Sequence, residues 1–148
     1  MISKIINWLS PRTFKCFACD GDTIIAYGGI GNLLKRTIRM VGIDCPEATG
    51  NTHRPATYYG DEAKAFTVNL LGGKYIKLAS DKGVGEDKYG RLLAYIYLDD
   101  VDVGGLLLQA GTAKVYNYLG RGFDKLGEYS VFEQEAKTKQ LGIWKPQK

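Results

Sequence analysis

The sequence predicts a mainly β fold that also contains α-helices, built as a single domain. Short segments rich in β-branched and aromatic residues, separated by turn residues, fill the first part of the chain. Segments with apolar residues at helical spacing follow in the second part. The 148 residues, 45% of them hydrophobic, can bury one core but hardly two. Residues 1–148 are therefore predicted to form one domain, with residues 1–10 as a flexible N-terminal extension.

Three strands are predicted first, in a meander over residues 12–19, 23–27 and 36–43. The first turn contains Asp20-Gly21, a favoured hairpin dipeptide, and the second is the glycine-rich run 28–32. A glycine-rich run can also cradle a phosphate, but here a strand follows it and not a helix with Lys-Ser/Thr. A flexible hairpin is therefore favoured over a nucleotide loop.

A loop and an amphipathic helix come next. Residues 48–58 are polar and show neither helical nor strand periodicity, which predicts a mobile loop. In residues 61–71, Ala63, Phe66, Thr67, Leu70 and Leu71 recur at helical spacing, and two glycines follow. One face of this helix is expected to pack on the core.

Two more strands, 74–80 and 91–98, precede two helices at 103–110 and 128–141. Gly104-Gly105 is expected to weaken the start of the shorter helix. Tyr129, Phe132 and Ala136 form the apolar stripe of the last one. The element order is that of a five-stranded OB-fold barrel with about three helices.

Charge and hydropathy limit the class of protein. The chain has 20 Lys and Arg residues against 16 Asp and Glu residues, and the net charge of +4 favours a polyanionic partner without resembling a histone-like tail. No apolar run is long enough to cross a bilayer, and residues 2–9 are too short for the apolar core of a signal peptide. The chain as given is expected to be cytoplasmic, or secreted if a signal segment has been removed.

The cysteines and the single histidine offer weak metal or redox alternatives. Cys16, Cys19 and Cys45 are odd in number, which argues against a disulfide framework. Cys16 and Cys19 have CxxC spacing, but the pair would point to opposite faces of a strand, so small strand residues are favoured over a zinc or redox site. His53 lies in the polar loop and is interpreted as solvated rather than catalytic.

Four acidic residues flank the first three strands. Asp20 and Asp22 lie in the first turn, and Asp44 and Glu47 follow the third strand. Ligation by Asp22, Asp44 and a backbone carbonyl would suit a hard cation such as Ca²⁺. The alternative is that the Asp-Gly-Asp run is only turn chemistry.

Two arginines are candidates for binding a phosphate. Arg39 has the same strand parity as Val41 and Ile43, so its charge needs a partner or an anion, and Arg91 begins the fifth strand. A guanidinium binds phosphate oxygens in a bidentate manner. The alternative is that each arginine is half of a salt bridge.

Further residues are candidates for proton transfer and for aromatic stacking. Glu47, held by Pro46, is a candidate general base for an attacking water. Lys88 and Tyr89 precede Arg91, and Tyr116 and Tyr118 lie near Arg121. Aromatic rings beside cations are typical of surfaces that stack on bases and grip a phosphate backbone, although tyrosines also serve barrels structurally.

Together these motifs resemble the staphylococcal nuclease (thermonuclease) family. The matching segments are CDGDT at 19–23, R-x4-DCPE at 39–47, YGDEAKAFT at 59–67, DKYGRLLAYIY at 87–97, QAGTAKV at 109–115 and LGIW at 141–144. They occur in unbroken order over nearly the whole chain from about residue 15.

The resemblance implies a Ca²⁺-dependent OB-fold endonuclease that hydrolyses DNA and RNA and leaves 3′-phosphate ends. It implies that Asp22, Asp44 and the backbone carbonyl of Cys45 bind Ca²⁺, with Asp20 nearby. The Cys45 side chain is then expected to matter little. No membrane and no obligate protein partner are implied, and a monomer is expected.

The resemblance also implies roles for the remaining site residues. Arg39 and Arg91 would hold the scissile phosphate, and Glu47 would orient or deprotonate the water. The nucleotide pocket would be lined by Lys88, Tyr89, Tyr116 and Tyr118. The alternative function is a non-catalytic OB-fold module that binds nucleic acid or protein, but such a module needs none of the metal-binding carboxylates.

Overall fold

The computed structural model describes residues 13–28, 31, 34–50, 54–82 and 85–147. Its strands are β1 Phe14–Ala18, β2 Thr23–Gly28, β3 Leu34–Met40, β4 Ile43–Asp44, β5 Tyr75–Ala79, β6 Leu92–Leu98, β7 Val101–Asp102 and β8 Lys114–Val115. Its α-helices are α1 Gly60–Leu71, α2 Val103–Gln109 and α3 Leu126–Thr138, with 3₁₀ turns at Tyr118–Gly120 and Gly142–Trp144. In this described part of the chain, no helix is long and apolar enough to cross a membrane.

Five strands close into a barrel. The sheet runs in the order β3-β2-β1-β5-β6-β7, and a parallel pairing of β3 with β6 joins its two sides. β7 extends beyond the closed part, and β4 pairs separately with β8. The predicted five-stranded OB-fold barrel with three helices is therefore confirmed, including the hairpin between β2 and β3, whose pairing continues to Gly28 and Leu34.

The barrel interior follows from strand alternation. Ile24, Ile38, Ile76 and Ile96 are fully or almost fully buried, because every second side chain of a strand points inward. Cys16 lies among them with a free thiol, and burial raises its pKa to about 11. A thiol that remains protonated at neutral pH is a weak nucleophile and metal ligand, which agrees with its interpretation as a small strand residue.

The helices cover the barrel largely as predicted. α1 buries Ala63, Thr67 and Leu71 on one face. The glycines that were expected to weaken α2 have a packing reason, because a Cβ at Gly104 would lie 2.5 Å from the Tyr129 hydroxyl of α3. α3 ends at Thr138 rather than at residue 141.

The predicted third strand is wrong at its end. β3 stops at Met40, and Gly42 adopts a positive φ of 80° before the short β4 begins. Arg39 therefore points outward between the buried Ile38 and Met40, and it does not share a continuous strand face with Val41 and Ile43. The turn resets the alternation on which that prediction depended. β6 begins at Leu92, one residue after Arg91. Residues 1–10 and His53 lie outside the described residues.

Candidate active site

The turn between β1 and β2 is fixed to the chain that leaves β4. Asp22 is buried, and its Oδ2 accepts a hydrogen bond of 2.8 Å from the backbone N–H of Cys45. Its Oδ1 accepts one of 3.0 Å from the hydroxyl of Thr23. The carboxylate is thus held in one orientation by groups from two segments of the chain.

Arg39 joins the same two segments. Its Nη1 donates to the carbonyls of Met40 and Ile43 at 2.9 and 2.8 Å. Its Nη2 lies 3.1 Å from Asp44 Oδ1 and 3.3 Å from Asp22 Oδ2. The structure therefore brings Asp22, Arg39 and Asp44 together, and the salt-bridge alternative for Arg39 is realised in the same arrangement.

The acidic residues around this arginine repel one another. Burial raises the pKa of Asp44, and the negative charges of Asp22 and Glu47 raise it further against the opposing effect of Arg39. Burial also raises the pKa of Asp20, again with contributions from Asp22 and Glu47. The four carboxyl groups therefore form a region of excess negative charge, which a cation would neutralise.

Glu47 is held through its backbone. The hydroxyl of Thr57 accepts a hydrogen bond of 3.0 Å from the N–H of Glu47, and the N–H of Thr57 donates one of 3.0 Å to its carbonyl. The first residue of α1, Gly60, passes so close that a Cβ there would lie 1.7 Å from the Glu47 carbonyl oxygen. The Glu47 carboxylate lies 3.5 Å from Arg54. These contacts fix the point from which the carboxylate projects.

The side chain of Cys45 packs against the turn between β1 and β2. A Cβ added to Gly21 would lie 2.8 Å from the Cβ of Cys45, so the acidic turn packs directly on this side chain. On the other side, the hydroxyl of Thr67 in α1 donates a hydrogen bond of 2.7 Å to the Gly21 carbonyl. Thr67 and Cys45 together position the turn that carries Asp20 and Asp22.

Arg91 lies on a different support. Its Nε donates to Asp87 Oδ2 at 2.6 Å, and Asp87 Oδ1 accepts the backbone N–H groups of Tyr89 and Arg91. Despite partial burial, these hydrogen bonds lower the pKa of Asp87. The guanidinium stacks 5.3 Å from the ring centre of Tyr89. The salt-bridge alternative is therefore realised for Arg91 as well.

The strand register relates the two arginines. β3 and β6 are parallel, with Ile38 opposite Leu92 and Arg39 opposite Leu93. Arg91 therefore lies two residues before the level of Arg39, and each arginine is the sequence neighbour of a buried, inward-facing residue, Ile38 for Arg39 and Leu92 for Arg91. Both arginines project from the outer side of the barrel at the β3–β6 seam.

The predicted nucleotide-binding residues form two exposed clusters. Lys88 Nζ lies 5.1 Å from the ring centre of Tyr89, beside Arg91. Tyr116 and Tyr118 contact each other edge to face at 6.1 Å. The N–H of Tyr116 donates to the Gly42 carbonyl, which places this second cluster directly after β8 and next to β4.

Residues 37–146 match the family model described as staphylococcal nuclease homologue. The chain belongs to the staphylococcal nuclease family. The match includes Arg39, Asp44, Glu47 and Arg91, and it begins after the turn that carries Asp22.

Several proteins similar to this chain have names that describe them as nucleases. The chain is 38% identical over 142 residues to Endonuclease YncB of Bacillus subtilis, covering 95% of this chain and 63% of that protein. It is 38% identical over 128 residues to the SPbeta prophage-derived endonuclease YokF of the same organism, covering 86% and 42%. It is 28% identical over 140 residues to the probable staphylococcal-like nuclease CAN2 of Oryza sativa, covering 95% and 32%. The chain thus spans less than two thirds of each of these relatives.

The donor set of this family member suits a hard cation more than a soft one. In the described ranges, no three Asp, Glu, His or Cys side chains converge into a complete metal site. Two carboxylates and a carbonyl do not require such a cluster, because Ca²⁺ also accepts water and phosphate oxygens. Cys45 is buried, and no hydrogen bond to its carbonyl oxygen is found among the described residues. Oxygen ligands of this kind fit Ca²⁺ better than zinc.

Sequence reasoning missed three supporting residues. Asp87 orients Arg91, Thr57 holds the backbone of Glu47, and Gly60 allows α1 to begin against that backbone. The spacing of Asp87 four residues before Arg91 was a usable signal, and so was a glycine directly before the acidic first turn of a helix. Thr57 gave no signal, because its contact with Glu47 depends on how the intervening loop closes.

Proposed function

We propose that this chain is a nuclease, a phosphodiesterase that hydrolyses DNA and RNA with the help of Ca²⁺. One observation carries the proposal: Asp22 and Asp44, from different segments, meet at the guanidinium of Arg39 within a region of excess negative charge. A surface that only binds nucleic acid has no use for several carboxylates that repel phosphate. The endonuclease names of the bacterial relatives support the same reaction class.

Asp22, Asp44 and the Cys45 carbonyl are the groups that would hold Ca²⁺. When bound, the ion would supply positive charge beside the phosphate oxygens and offset the repulsion among the carboxylates. Asp20 would contribute negative charge from nearby without being a ligand. Asp22 is oriented for this task by the Cys45 N–H and the Thr23 hydroxyl, so little ordering remains to be done when an ion binds.

The two arginines can divide the contacts with the diester. Among the described residues, Nη1 and Nη2 of Arg91 have no acceptor, because Asp87 engages only Nε. In Arg39 the pattern is reversed: both Nη atoms are engaged, and Nε has no acceptor in the described part of the chain. We infer that Arg91 binds the phosphate through its Nη pair and that Arg39 contributes mainly charge and its Nε donor.

Glu47 is the residue best suited to take the proton of the attacking water. It projects from a backbone that Thr57 and Gly60 hold beside the acidic turn. Attack of water on phosphorus, with the proton passing to Glu47, would break the bond to the 5′-oxygen and leave the phosphate on the 3′ end. The 5′-oxygen would leave with the bonding electrons and take up a proton.

A non-catalytic binding module is the alternative function. The pairing of Arg39 with both aspartates favours it, because these charges are already partly compensated within the protein. Under this alternative, the ion pairs would stabilise the fold and only the aromatic and basic clusters would act.

Digestion of plasmid DNA and single-stranded DNA or RNA with added Ca²⁺, Mg²⁺ or chelator separates the two functions. We expect cleavage with Ca²⁺ and none with chelator. Products should be substrates for a phosphatase that removes 3′-phosphates. Binding without cleavage under every condition would support the module, whereas full cleavage in chelator would remove the metal from the proposal.

A further inference from the structure

A row of alternating basic and aromatic residues crosses the outer face of the barrel away from the candidate active site. The pairing of β2 with β3 sets Tyr27 opposite Lys35. The pairing of β1 with β2 sets Lys15 opposite Tyr27, and Lys15 also lies opposite Tyr75 of β5. These four residues, the Lys–Tyr row, lie side by side on four neighbouring strands.

The row faces away from the core. Cys16, Ala26 and Ile76, which are sequence neighbours of row residues, are buried inside the barrel. Because side chains alternate along a strand, the row residues point outward. Tyr75 is 57% exposed, and Lys35 is also exposed. Directly paired residues on one sheet face are about 5 Å apart, so the row is a continuous surface.

Phe17 widens this surface. It is 46% exposed, and its ring contacts the Tyr27 ring edge to face at 6.1 Å. The Lys15 ammonium lies 5.9 Å from the centre of the Phe17 ring. An edge-to-face contact leaves one ring face open, so the surface combines positive charge with aromatic faces that are available for stacking.

This chemistry is complementary to a single nucleic-acid strand. The row contains two lysines and no carboxylate, which suits a phosphate backbone, and it contains rings on which unpaired bases can stack. A duplex keeps its bases stacked inside and can use only the charges. Alternation of lysine and tyrosine therefore favours a flexible single strand over a duplex.

Strand β3 connects one end of the row, Lys35, with Arg39 of the candidate active site. Arg39 lies four residues beyond Lys35 and also points outward, which corresponds to about 13 Å at the usual rise of a strand. The Asp20–Asp22 turn joins β1 and β2 at one end of this strand pair, and Lys15 and Tyr27 lie at the other end. One strand of nucleic acid could therefore touch both surfaces.

We propose that the Lys–Tyr row binds single-stranded DNA or RNA as a contact surface separate from the candidate active site. Binding at the row is independent of the reaction proposed above. Its use, to hold a substrate strand beyond the point of cleavage, rests on that reaction.

Binding can be measured without turnover, in chelator, by fluorescence anisotropy of a labelled oligothymidine of roughly 20 nucleotides, longer than the strand that one OB fold covers. The variants are the double substitution Lys15→Gln/Lys35→Gln and the single substitution Tyr75→Ser. The control, Lys139→Gln/Lys145→Gln, removes the same charge from exposed positions elsewhere. Unfolding curves establish that each variant is folded.

We expect Kd to rise about tenfold in Tyr75→Ser. In the row lysine variant, the slope of log K against log salt should fall by about 1.4, which is two single-strand phosphate contacts. The control should bind like the parent, and a duplex of equal length should be insensitive to Tyr75→Ser.

Equal binding by row and control variants would overturn the proposal, and so would equal loss of duplex binding in Tyr75→Ser. Because the assay needs no cleavage, a chain that proves inactive can still confirm the row. A chain that cleaves DNA while its row variants bind normally would refute the row alone.

Discussion

Arg39 and Arg91 are proposed to serve one phosphate, but the protein holds them in different ways. Arg39 is 11% exposed and contacts two carbonyls and two carboxylates at the junction of β3 and β4. Arg91 is 31% exposed and rests on one carboxylate and one tyrosine ring in the loop before β6. Arg39 is therefore part of the buried contacts that hold the fold together, whereas Arg91 lies nearer the surface and has fewer contacts.

This difference predicts that function and stability are coupled at Arg39 and separable at Arg91. A buried charge network loses several contacts when one member changes, and an exposed ion pair contributes little to the free energy of unfolding. The acidic residues divide in the same way. We call Arg39 and the buried Asp22 the inner half of the site, and Arg91 and Glu47, which project from loops, the outer half.

The largest effect is expected for Arg39→Lys compared with Arg91→Lys. Arg91→Lys keeps the charge but loses the Nη pair proposed to bind the phosphate, and Arg39→Lys loses the Nε donor and the bonds that hold Asp44 beside it, so kcat/KM on single-stranded DNA should fall at least about 100-fold in both. The free energy of unfolding in urea should fall by about 2 kcal/mol for Arg39→Lys, because the bonds to the Met40 and Ile43 carbonyls are lost. For Arg91→Lys it should change by less than about 1 kcal/mol. Equal destabilisation would erase the distinction between the two halves.

Glu47→Gln tests the outer half alone. We expect kcat to fall by about 100-fold or more, because the proton acceptor is removed. The Kd for an oligonucleotide, measured in chelator so that the strand is not cleaved, should change little. The amide is nearly isosteric with the carboxylate, so the unfolding curve should be close to that of the parent. Unchanged turnover would remove Glu47 from the mechanism.

Gly60→Ala asks whether the outer half depends on how α1 begins. A methyl group at this position would overlap the Glu47 carbonyl, so we expect the variant to lose about 2 kcal/mol of stability and to cleave more slowly. The matched control is Gly127→Ala in α3, where the added methyl group meets nothing within 4 Å. That change should stabilise the protein by about 0.5 kcal/mol. Similar results for both glycines would show that the contact between α1 and Glu47 is unimportant.

The smallest effect is expected for Asp20→Asn. Burial and the neighbouring negative charges raise the pKa of Asp20 in the folded state, so its ionised form opposes folding. This opposition sets in as the pH rises from the unfolded pKa through the higher folded one. Without metal, Asp20→Asn should therefore be more stable than the parent at pH 7, and the difference should vanish in acid below the unfolded pKa. Urea unfolding at a series of pH values measures this, and a less stable variant at neutral pH would contradict it.

Much of this architecture was predictable because it follows from local patterns. Alternation identified the barrel strands, helical spacing identified the face of α1, and the turn and strand-end motifs located Asp22, Arg39 and Asp44. The orientation of Arg39 was not predictable, because the turn at Gly42 interrupts a run that reads as one strand. At this turn Gly42 packs directly against Phe123, a tertiary contact that no local pattern in the sequence indicates.

The supports of the site were harder to predict than its charged groups. Thr57 and Gly60 act through backbone contacts with Glu47, across a loop whose closure no local pattern specifies. The Cys45 side chain packs on Gly21, which is distant in sequence. The charged groups of a site can be found in a sequence, because they depend on residue type. The residues that position those groups are harder to find, because they depend on which distant backbone segments approach each other.

The most direct test is the Ca²⁺ dependence of single-stranded DNA cleavage in the parent, Asp44→Asn and Asp20→Asn. If Asp44 is a ligand and Asp20 only a neighbour, Asp44→Asn should need at least about tenfold more Ca²⁺ to reach half of its maximal rate, and Asp20→Asn should need only slightly more. Cleavage that continues undiminished in chelator, or the same Ca²⁺ midpoint for Asp44→Asn and the parent, would contradict a metal site built on Asp22 and Asp44.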